Sequence, residues 1–225
     1  MSLPALDARL AAAAGYVRRG HTAADIGCDH GKLAAYLAAS GACPRVIAAD
    51  LRPGPLARAD ALCRELGLAD KVECRLGDGL AVLRPDEAQD IVIAGVSGVT
   101  AAQILDAAPF VPAVGTRFIF VPPSKHGVLR RHLACGGYAL RDETPVRAAG
   151  RLYTVLCAEY TGAPRTPTLY ECAVGKAEKH TPAAQSYLYR VADLTEKYAR
   201  GADDPDVYLT LAKQVREAAQ RCGMC

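Results

Sequence analysis

Short apolar runs alternate with helix-like patterns through the first part of the chain. The apolar runs predict strands at residues 23–26, 46–50, 72–76, 91–94 and 118–121. Apolar residues at helical spacing predict helices at residues 3–14, 32–39, 55–66, 100–108 and 125–134. Because strands alternate with helices, we expect a doubly wound, mostly parallel α/β sheet with helices on both faces.

The pattern changes after the fifth predicted strand. Two extended runs, 138–147 and 151–160, are joined by an Ala-Ala-Gly turn and predict an antiparallel hairpin that completes a seven-stranded sheet. A segment with two prolines follows, and then two helices are predicted at 182–200 and 205–221. We therefore expect an α/β domain at residues 1–162 and a C-terminal helical hairpin within residues 163–225, with Tyr187, Val191, Leu194 and Tyr198 as one apolar stripe.

Composition narrows the possible partners and compartments. The 225 residues carry a net charge of +3, which permits a polyanionic partner without requiring one. No apolar run is long enough for a membrane span, and the nine cysteines are scattered, which favours free thiols in the cytoplasm. Cys222 and Cys225 have the spacing of half a zinc site, but no second pair matches them, so no metal is expected.

The turn after the first predicted strand carries the most specific signal. Residues 25–31 read Asp-Ile-Gly-Cys-Asp-His-Gly and join a strand to a helix N-terminus, where open α/β sheets bind nucleotides. A pyrophosphate at that N-terminus would be repelled by Asp29, and Gly27 and Gly31 do not have dinucleotide spacing. S-adenosylmethionine (SAM) has no phosphate and carries cationic groups. The turn therefore favours SAM over a dinucleotide.

Asp50 ends the second predicted strand, 23 residues after Gly27. A carboxylate there can accept both hydroxyls of a ribose, in NAD sites and in SAM sites alike. Asp78 follows the third strand and is also placed to cap the helical turn behind it. These positions favour a nucleoside cofactor, although Asp50 read alone is equally explained as a turn residue, and a capping role for Asp78 is compatible with the same position.

Several motifs together resemble a known family. Arg9-Leu10, residues 16–20, the Asp-Ile-Gly-Cys-Asp-His segment, Gly77-Asp-Gly79 and residues 93–98 are similar, in order and spacing, to the bacterial tRNA (adenine-22, N1)-methyltransferases. The resemblance covers about residues 5–160. It implies a class I methyltransferase fold, SAM as cofactor and tRNA as substrate, with Asp78 accepting the adenine amine of SAM.

The resemblance also implies two sets of site residues. The cofactor set comprises Asp25, Gly27, Asp29, Gly31, Asp50, Leu51, Asp78, Gly79 and Gly95. The acceptor set comprises Val96, Ser97, Gly98, Pro122 and Ser124. The family usually has Gly-Met-Gly-Gly and Gln-Pro-Asn in the two acceptor segments, and this chain departs from both. A methyltransferase of the same fold with a different acceptor is therefore the first alternative.

Adenine N1 carries a lone pair, so it can attack a methyl group in line without prior deprotonation. Asp29 is the candidate to stabilise the resulting positive charge or to accept an N6 proton, and its alternative role is to bind the ammonium group of SAM. His30 is a second catalytic candidate through contact with the base, with a structural role as its alternative.

Arg18 and Arg19 precede the first strand, and Arg130 and Arg131 follow the fifth. We interpret both segments as flanking the carboxyl ends of the strands, where they would form a phosphate-binding rim for tRNA, or else a solvated helix face. The helical hairpin would bind RNA or form dimer contacts. The protein is expected to be a monomer or a homodimer. A nucleotide-dependent oxidoreductase and a non-catalytic SAM- or RNA-binding module are the remaining alternatives.

Overall fold

The computed structural model describes residues 3–223 and contains one seven-stranded sheet. The strands are β1 Ala23–Ile26, β2 Val46–Asp50, β3 Val72–Leu76, β4 Asp90–Ala94, β5 Arg117–Val121, β6 Tyr138–Ala148 and β7 Arg151–Tyr160. Their order is β3-β2-β1-β4-β5-β7-β6, and β7 is antiparallel to both of its neighbours. The predicted doubly wound sheet with an antiparallel edge hairpin is confirmed.

Helices cover both faces of this sheet. They are α1 Ala8–Tyr16, α2 Lys32–Ala39, α3 Pro53–Glu65, α4 Gly98–Asp106, α5 His126–Cys135, α6 Leu169–Val174, α7 Pro182–Ala199 and α8 Pro205–Cys222, with a short 3-10 helix at Gly79–Val82. One buried cluster packs α1, α2 and α3 against the sheet, and a second packs α4 and α5 against the opposite face. Adjacent residues of β1, Ala23 and Ala24, belong to different clusters, as the alternation of side chains along a strand requires.

Capping residues explain where the helices begin. The carboxylate of Asp7 accepts the N–H groups of Arg9 at 2.9 Å and Leu10 at 3.1 Å, so α1 begins at Ala8 instead of extending from residue 3. The third helix begins two residues earlier than predicted because Pro53 has a backbone angle suited to a first helical turn.

The sequence analysis missed α6, although its start is marked by a local signal. The Thr168 hydroxyl accepts the N–H of Glu171 at 3.1 Å, and the Glu171 carboxylate accepts the N–H of Thr168 at 2.7 Å. This reciprocal capping box stabilises the first turn of a helix of only six residues. The Thr-x-x-Glu spacing was therefore readable from the sequence.

The last two helices form the predicted hairpin, but α7 buries a different face from the one expected. Leu194 and Tyr198, which belong to the predicted stripe, are 44% and 60% exposed. The buried face of α7 consists of Ala184, Tyr187, Leu188, Ala192, Thr195 and Ala199. Small residues dominate this face because they allow α8 to approach α7 closely. Close packing of the two helices therefore decides which face of α7 is buried, and the larger side chains of the predicted stripe remain partly exposed.

A buried ion pair joins the helical extension to the sheet. Arg130 on α5 donates to the two carboxylate oxygens of Glu143 on β6, at 3.1 and 2.6 Å. Its remaining N–H groups donate to the carbonyls of Cys172 and Ala173, at 2.8 and 2.7 Å, and to the hydroxyl of Tyr187 at 2.8 Å. All of the guanidinium donors are therefore paired inside the protein.

Glu143 is satisfied in the same way. Its carboxylate also accepts the hydroxyl of Thr154 and the backbone N–H of Lys176, both at 3.0 Å. Arg130 is only 4% exposed, so the expectation that it contacts phosphate is wrong. A polar atom with this many internal partners is anchored by the fold and is not available to RNA.

Replacing Arg130 with alanine should lower the free energy of unfolding by about 3–5 kcal/mol, because Glu143 would remain buried without its counter-charge. Urea unfolding followed by circular dichroism measures the loss. Arg64→Ala, which removes a pair on the exposed face of α3, is the control and should change stability little. Equal losses in the two variants would contradict the structural role of the buried pair.

Candidate functional site

Two cavities open at the edge of the sheet where the parallel strands end. The first cavity, of about 270 Å³, is lined by Asp25, Gly27, Cys28, Asp29, His30, Lys32, Leu33, Ala94, Gly95, Val121 and, from α1 and its cap, Asp7, Arg9 and Leu10. The second cavity, of about 390 Å³, is lined by residues 75–78, 81 and 82 at the end of β3. Because β2 lies between β1 and β3, Asp50 stands between the two cavities.

The turn after β1 folds back over the end of β2. Gly27 and Cys28 donate their N–H groups to the carbonyl of Ala49, both at 2.8 Å. Asp29 has a left-handed backbone conformation, with φ of 50°, and donates its N–H to a carboxylate oxygen of Asp50 at 3.1 Å. Aspartate is one of the few residue types besides glycine that visits this conformation. The backbone of the turn thus fixes the carboxylate of Asp50.

The structure accounts for Gly31 through helix packing. A Cβ atom there would lie 2.6 Å from the Cβ of Ala59 on α3, so the start of α2 approaches α3 too closely for any side chain. Gly31 does not line the first cavity. Gly27, with φ of 76°, does line it and needs glycine for its backbone conformation.

Three carboxyl groups meet at this turn. Asp25 is 3% exposed, and burial raises its pKa to about 7 against the opposing effect of the Ala34 N–H in the first turn of α2. The negative charges of Asp50 and Asp29 raise this pKa further. Asp50 itself is buried and also accepts the N–H of Arg52 at 2.9 Å. A site with this much negative charge repels a pyrophosphate and attracts a cation.

Cations line the same cavity. Lys32 begins α2, whose first turn has no side-chain cap, and Arg9 faces the cavity from α1. Arg9 is paired with Asp7 at 2.6 Å, and this contact lowers the pKa of Asp7. The first cavity therefore presents both charge signs, which suits a zwitterion with an ammonium and a carboxylate. The sequence analysis did not assign Asp7, Arg9 or Lys32 to the cofactor: Asp7 and Arg9 reach the cavity only through the packing of α1, and Lys32 follows Gly31 at the start of α2.

The two catalytic candidates lie at the rim of the first cavity. The side chains of Asp29 and His30 are 62% and 46% exposed, and their nearest polar atoms, Oδ2 and Nε2, are 3.6 Å apart. This distance is too long for a hydrogen bond. Both side chains are thus free to meet a second molecule that enters from solvent.

The second cavity contains the remaining carboxylate of the predicted cofactor set. Asp78 is exposed and lines this cavity together with Leu76. Leu51 follows Asp50 and is 64% exposed, and Leu76 is 59% exposed. The backbone of Gly79, which follows Asp78, has a positive φ of 51°. Two exposed leucines and a carboxylate provide apolar contact and a hydrogen-bond acceptor for a flat heterocycle.

The predicted acceptor segments contact each other. Gly98 donates its N–H to the carbonyl of Ser124 at 2.9 Å, and a Cβ on Gly98 would lie within van der Waals overlap of the Lys125 carbonyl. The hydroxyl of Ser97 accepts the N–H of Thr100 at 3.1 Å and so caps α4. Val96 is half-buried, and Pro122 is buried beside the end of β5. The two loops after β4 and β5 are therefore one connected surface next to the first cavity.

The predicted phosphate-binding rim does not exist as proposed. Arg18 donates to Asp90 at 2.8 Å and to the carbonyl of Gln89 at 2.8 Å, and Asp90 begins β4 opposite Ala23. Arg18 therefore lies at the amino ends of the strands, on the edge opposite the cavities. Arg19, exposed at the same edge, contacts the carbonyl of Gly41. The error arose because residues just before a parallel strand lie at its amino end.

Of the four predicted rim arginines, Arg131 is exposed on α5, near the loop after β5.

Within residues 3–223, no group of three or more His, Cys, Asp or Glu side chains has the arrangement of a metal site. Cys222 is a buried free thiol, and Cys225 lies outside the described residues. The part of the chain that the structure describes has no helix with the length and apolar character needed to cross a bilayer.

Comparison with known proteins gives a consistent result. Residues 6–156 match the family described as "Methyltransferase domain". The tRNA (adenine(22)-N(1))-methyltransferase of Bacillus subtilis (strain 168) is 36% identical over 155 residues, which is 68% of this chain. That alignment spans 65% of the relative's own length, slightly less than two thirds.

Solved structures match over nearly the whole chain. The B. subtilis m1A22 tRNA methyltransferase TrmK superposes with a TM-score of 0.81 at 27% identity, covering 97% of this chain and 99% of that one. Sp1610 of Streptococcus pneumoniae, solved in complex with S-adenosyl-L-methionine, superposes with a TM-score of 0.81 at 25% identity, covering 92% and 98%. The helical extension is thus part of the shared architecture.

The buried carboxyl of Asp25 predicts a pH dependence of stability. Its pKa is about 7 in the folded protein and about 3.9 in an unfolded chain, so the native state binds the proton more tightly. This contribution is complete below about pH 4 and is lost as the pH rises to about 7. Asparagine does not titrate, so only the wild type should lose stability as the pH rises. The free energy of unfolding of Asp25→Asn minus that of wild type should therefore increase by about 1.4 kcal/mol per pH unit between about pH 5 and 7, and should stay constant above about pH 7.

Urea unfolding of the ligand-free protein at several pH values measures this difference. Asp70→Asn, at an exposed position, is the matched control and should show no such trend. A difference between wild type and Asp25→Asn that stays constant with pH would contradict the assignment.

Proposed function

The chain belongs to the methyltransferase-domain family, and from that membership we propose that it transfers a methyl group from SAM to N1 of an adenine in tRNA. The observation that carries the proposal is the first cavity, which is lined by Asp25 and Asp29 at the turn after β1 and by the cations Lys32 and Arg9, with Asp50 at the adjacent end of β2. The similar proteins named above modify adenine 22, so this position is the first to test.

The two cavities accommodate the two ends of SAM. We assign the methionine end to the first cavity, where Asp25 and Asp29 face its ammonium and Lys32 faces its carboxylate. The ribose hydroxyls lie against Asp50, whose carboxylate oxygens each have a lone pair left after accepting one backbone N–H. This arrangement has no place for a phosphate, which argues against a dinucleotide-dependent oxidoreductase.

The adenine end occupies the second cavity. Asp78 accepts the exocyclic amine, and the ring contacts Leu76, which lines this cavity, and the exposed Leu51 after β2. Covering these two exposed leucines stabilises the complex by about 25 cal/mol per Å² of apolar surface removed from water. The exposure of Leu51 and Leu76 is therefore explained by a ligand that buries them.

Bound SAM supplies an electrophilic methyl group on a positively charged sulfur. The protein then has to hold the adenine in line with that methyl group and stabilise the positive charge that develops on the ring. Asp29 is placed for the second task, because its exposed carboxylate projects from a backbone fixed through Asp50. His30 lies beside it and contacts the base from the same rim.

We assign the tRNA backbone to a basic face made of Lys125, Arg131 and Arg190. All three are exposed, and Lys125 follows the acceptor loop directly. Burial is the main cause of the lowered pKa of His126 at the start of α5, and the positive charges of Arg130 and of Arg190 on α7 lower it further. The three residues of the basic face take the place of the phosphate-binding rim expected from the sequence. Because Arg190 lies on α7, the proposal gives the helical extension a part in RNA binding.

The free thiols at the described cysteines fit the cytoplasm, where tRNA is modified.

Mass spectrometry of nucleosides from tRNA incubated with protein and SAM tests the proposed reaction. We expect 1-methyladenosine that depends on an adenine at position 22. A different methylated nucleoside would favour the same fold with another acceptor, the alternative that Val96 and Ser97 support by departing from the family pattern. No methylated nucleoside with any tRNA would contradict the proposal.

Asp29→Asn separates the two roles of that carboxylate. If Asp29 stabilises the cationic ring or accepts a proton, the single-turnover rate at saturating SAM falls by about a hundredfold while SAM affinity changes little. If it only binds the ammonium of SAM, affinity falls and saturating SAM restores the rate. Calorimetry for SAM and rapid-quench methylation give the two values. Unchanged rate and affinity would remove Asp29 from the site.

The basic face predicts a salt dependence. Each lost phosphate contact reduces the slope of log affinity against log salt by about 0.7–0.9, so Lys125→Ala with Arg190→Ala should flatten it by roughly twice that value. Fluorescence anisotropy with labelled tRNA at several KCl concentrations measures the slope. Arg19→Ala, an exposed arginine at the opposite edge, is the control. A double variant with the wild-type slope would exclude the face.

A further inference from the structure

The loop that follows β5 is held in an unusual way. Pro122 and Pro123 have no backbone N–H, so this segment has few donors with which to anchor itself. Carbonyls accept instead: that of Val121, at the end of β5, accepts from Gly95 at 3.1 Å, and that of Ser124, within the loop, accepts from Gly98 at 2.9 Å. Both bonds tie the loop to the turn after β4. The loop position next to the first cavity therefore depends on the donors that reach its carbonyls.

The carbonyl of Pro122 has a side-chain donor. The Nε2 atom of His126 lies 3.1 Å from this oxygen. Because a carbonyl oxygen only accepts, Nε2 must carry the hydrogen. Burial lowers the pKa of His126 to about 4, with further contributions from the positive charges of Arg130 and Arg190, so the ring is neutral near pH 7. The neutral ring with its hydrogen on Nε2 therefore makes this contact.

The backbone between Pro122 and His126 is constrained as well. Lys125 is the N-cap of α5 and has a left-handed conformation, with φ of 61°. Such a conformation is unfavourable for a lysine and persists only where the surroundings determine it. The Lys125 carbonyl leaves no room for a Cβ atom on Gly98, so the two acceptor loops pack closely at this point. The contact between His126 and Pro122 spans the same tight turn.

The helical extension fixes the imidazole in turn. The rings of His126 and Tyr187 meet edge to face, with centroids 5.6 Å apart and planes at 77°. Tyr187 is buried and is bonded to Arg130, which is paired with Glu143. A continuous set of contacts therefore runs from β6 through α7 to the loop that faces the methyl acceptor.

We propose that His126 is a positioning residue for methyl transfer: its Nε2–H group holds the Pro122 carbonyl, and with it the acceptor loop, in a place set by Tyr187 of the helical extension. The extension then serves the chemical step as well as any RNA contact. This inference rests on the proposed function. The residue acts through the loop and does not itself touch the substrate.

His126→Leu removes the donor while keeping an apolar side chain against Tyr187, and His126→Gln returns an N–H at a similar reach. The single-turnover rate at saturating SAM and tRNA should fall about 10- to 100-fold in His126→Leu, the range expected for a displacement of about 1 Å at the reacting atoms. His126→Gln should recover most of that loss. SAM affinity and tRNA affinity should change much less than the rate, because most of the residues assigned to each ligand lie outside this loop.

Two controls separate positioning from general destabilisation. His132→Leu removes another histidine of α5, whose partner is the exposed Asp106, and should leave the rate unchanged. Tyr187→Phe keeps the ring against His126 but removes the hydroxyl bonded to Arg130, so it should lower the melting temperature without lowering the rate. Wild-type rate in His126→Leu would overturn the inference while leaving the proposed function intact, and so would a His126→Gln variant as slow as His126→Leu.

Amide hydrogen exchange of the ligand-free protein tests, independently of activity, whether the contact between His126 and Pro122 holds the loop. The Gly98 N–H, which is bonded to Ser124, should exchange at least about tenfold faster in His126→Leu than in wild type, and should not change in His132→Leu. If wild type methylates no tRNA, the proposed function fails by itself, and this measurement still decides the anchoring. Equal exchange of Gly98 in wild type and His126→Leu would overturn it.

Discussion

The crowding of Asp25, Asp29 and Asp50 at one turn is the constraint on which the site depends. Parallel strands deliver their carboxyl ends to the same edge, so acidic residues that end β1 and β2 must meet. The fold relieves the repulsion with backbone donors, two of which hold Asp50, and with a raised pKa at Asp25. A cationic ligand relieves it further, and this electrostatic demand is what separates a SAM site from a dinucleotide site on an otherwise similar sheet.

The two halves of the site at this edge of the sheet are held in place in different ways. The proposed donor half of the site is built from turns that hold their shape through local backbone bonds, such as those from Gly27 and Cys28 to Ala49. The proposed acceptor half is built from loops that depend on other elements, because two prolines deprive it of its own donors. Arg130 and Glu143 connect this half to the helical extension through a buried pair with every donor satisfied. Local sequence thus dominates one half, and long-range packing dominates the other.

Most of the fold was predictable because its signals are local. Short apolar runs near glycines predicted β1, β2 and β3 with their observed bounds. The change from helical to alternating apolar spacing after residue 135 predicted the edge hairpin. Helix starts were less accurate, since Asp7 and Pro53 act through capping geometry that apolar spacing does not report. The buried face of α7 was misjudged because large residues such as Tyr198 satisfy the same helical period as the small ones that α8 selects.

The sequence by itself determined the strand–turn–helix units and the positions of Asp25, Asp29, Asp50 and Asp78, since a residue's place at a strand end follows from its neighbours in the chain. Only the tertiary structure decided what each charge meets. It placed Arg18 at the opposite edge of the sheet, buried Arg130 against Glu143, and brought Arg9 to the first cavity. Charge partners, unlike secondary structure, are set by contacts between residues far apart in sequence, and no periodicity encodes them.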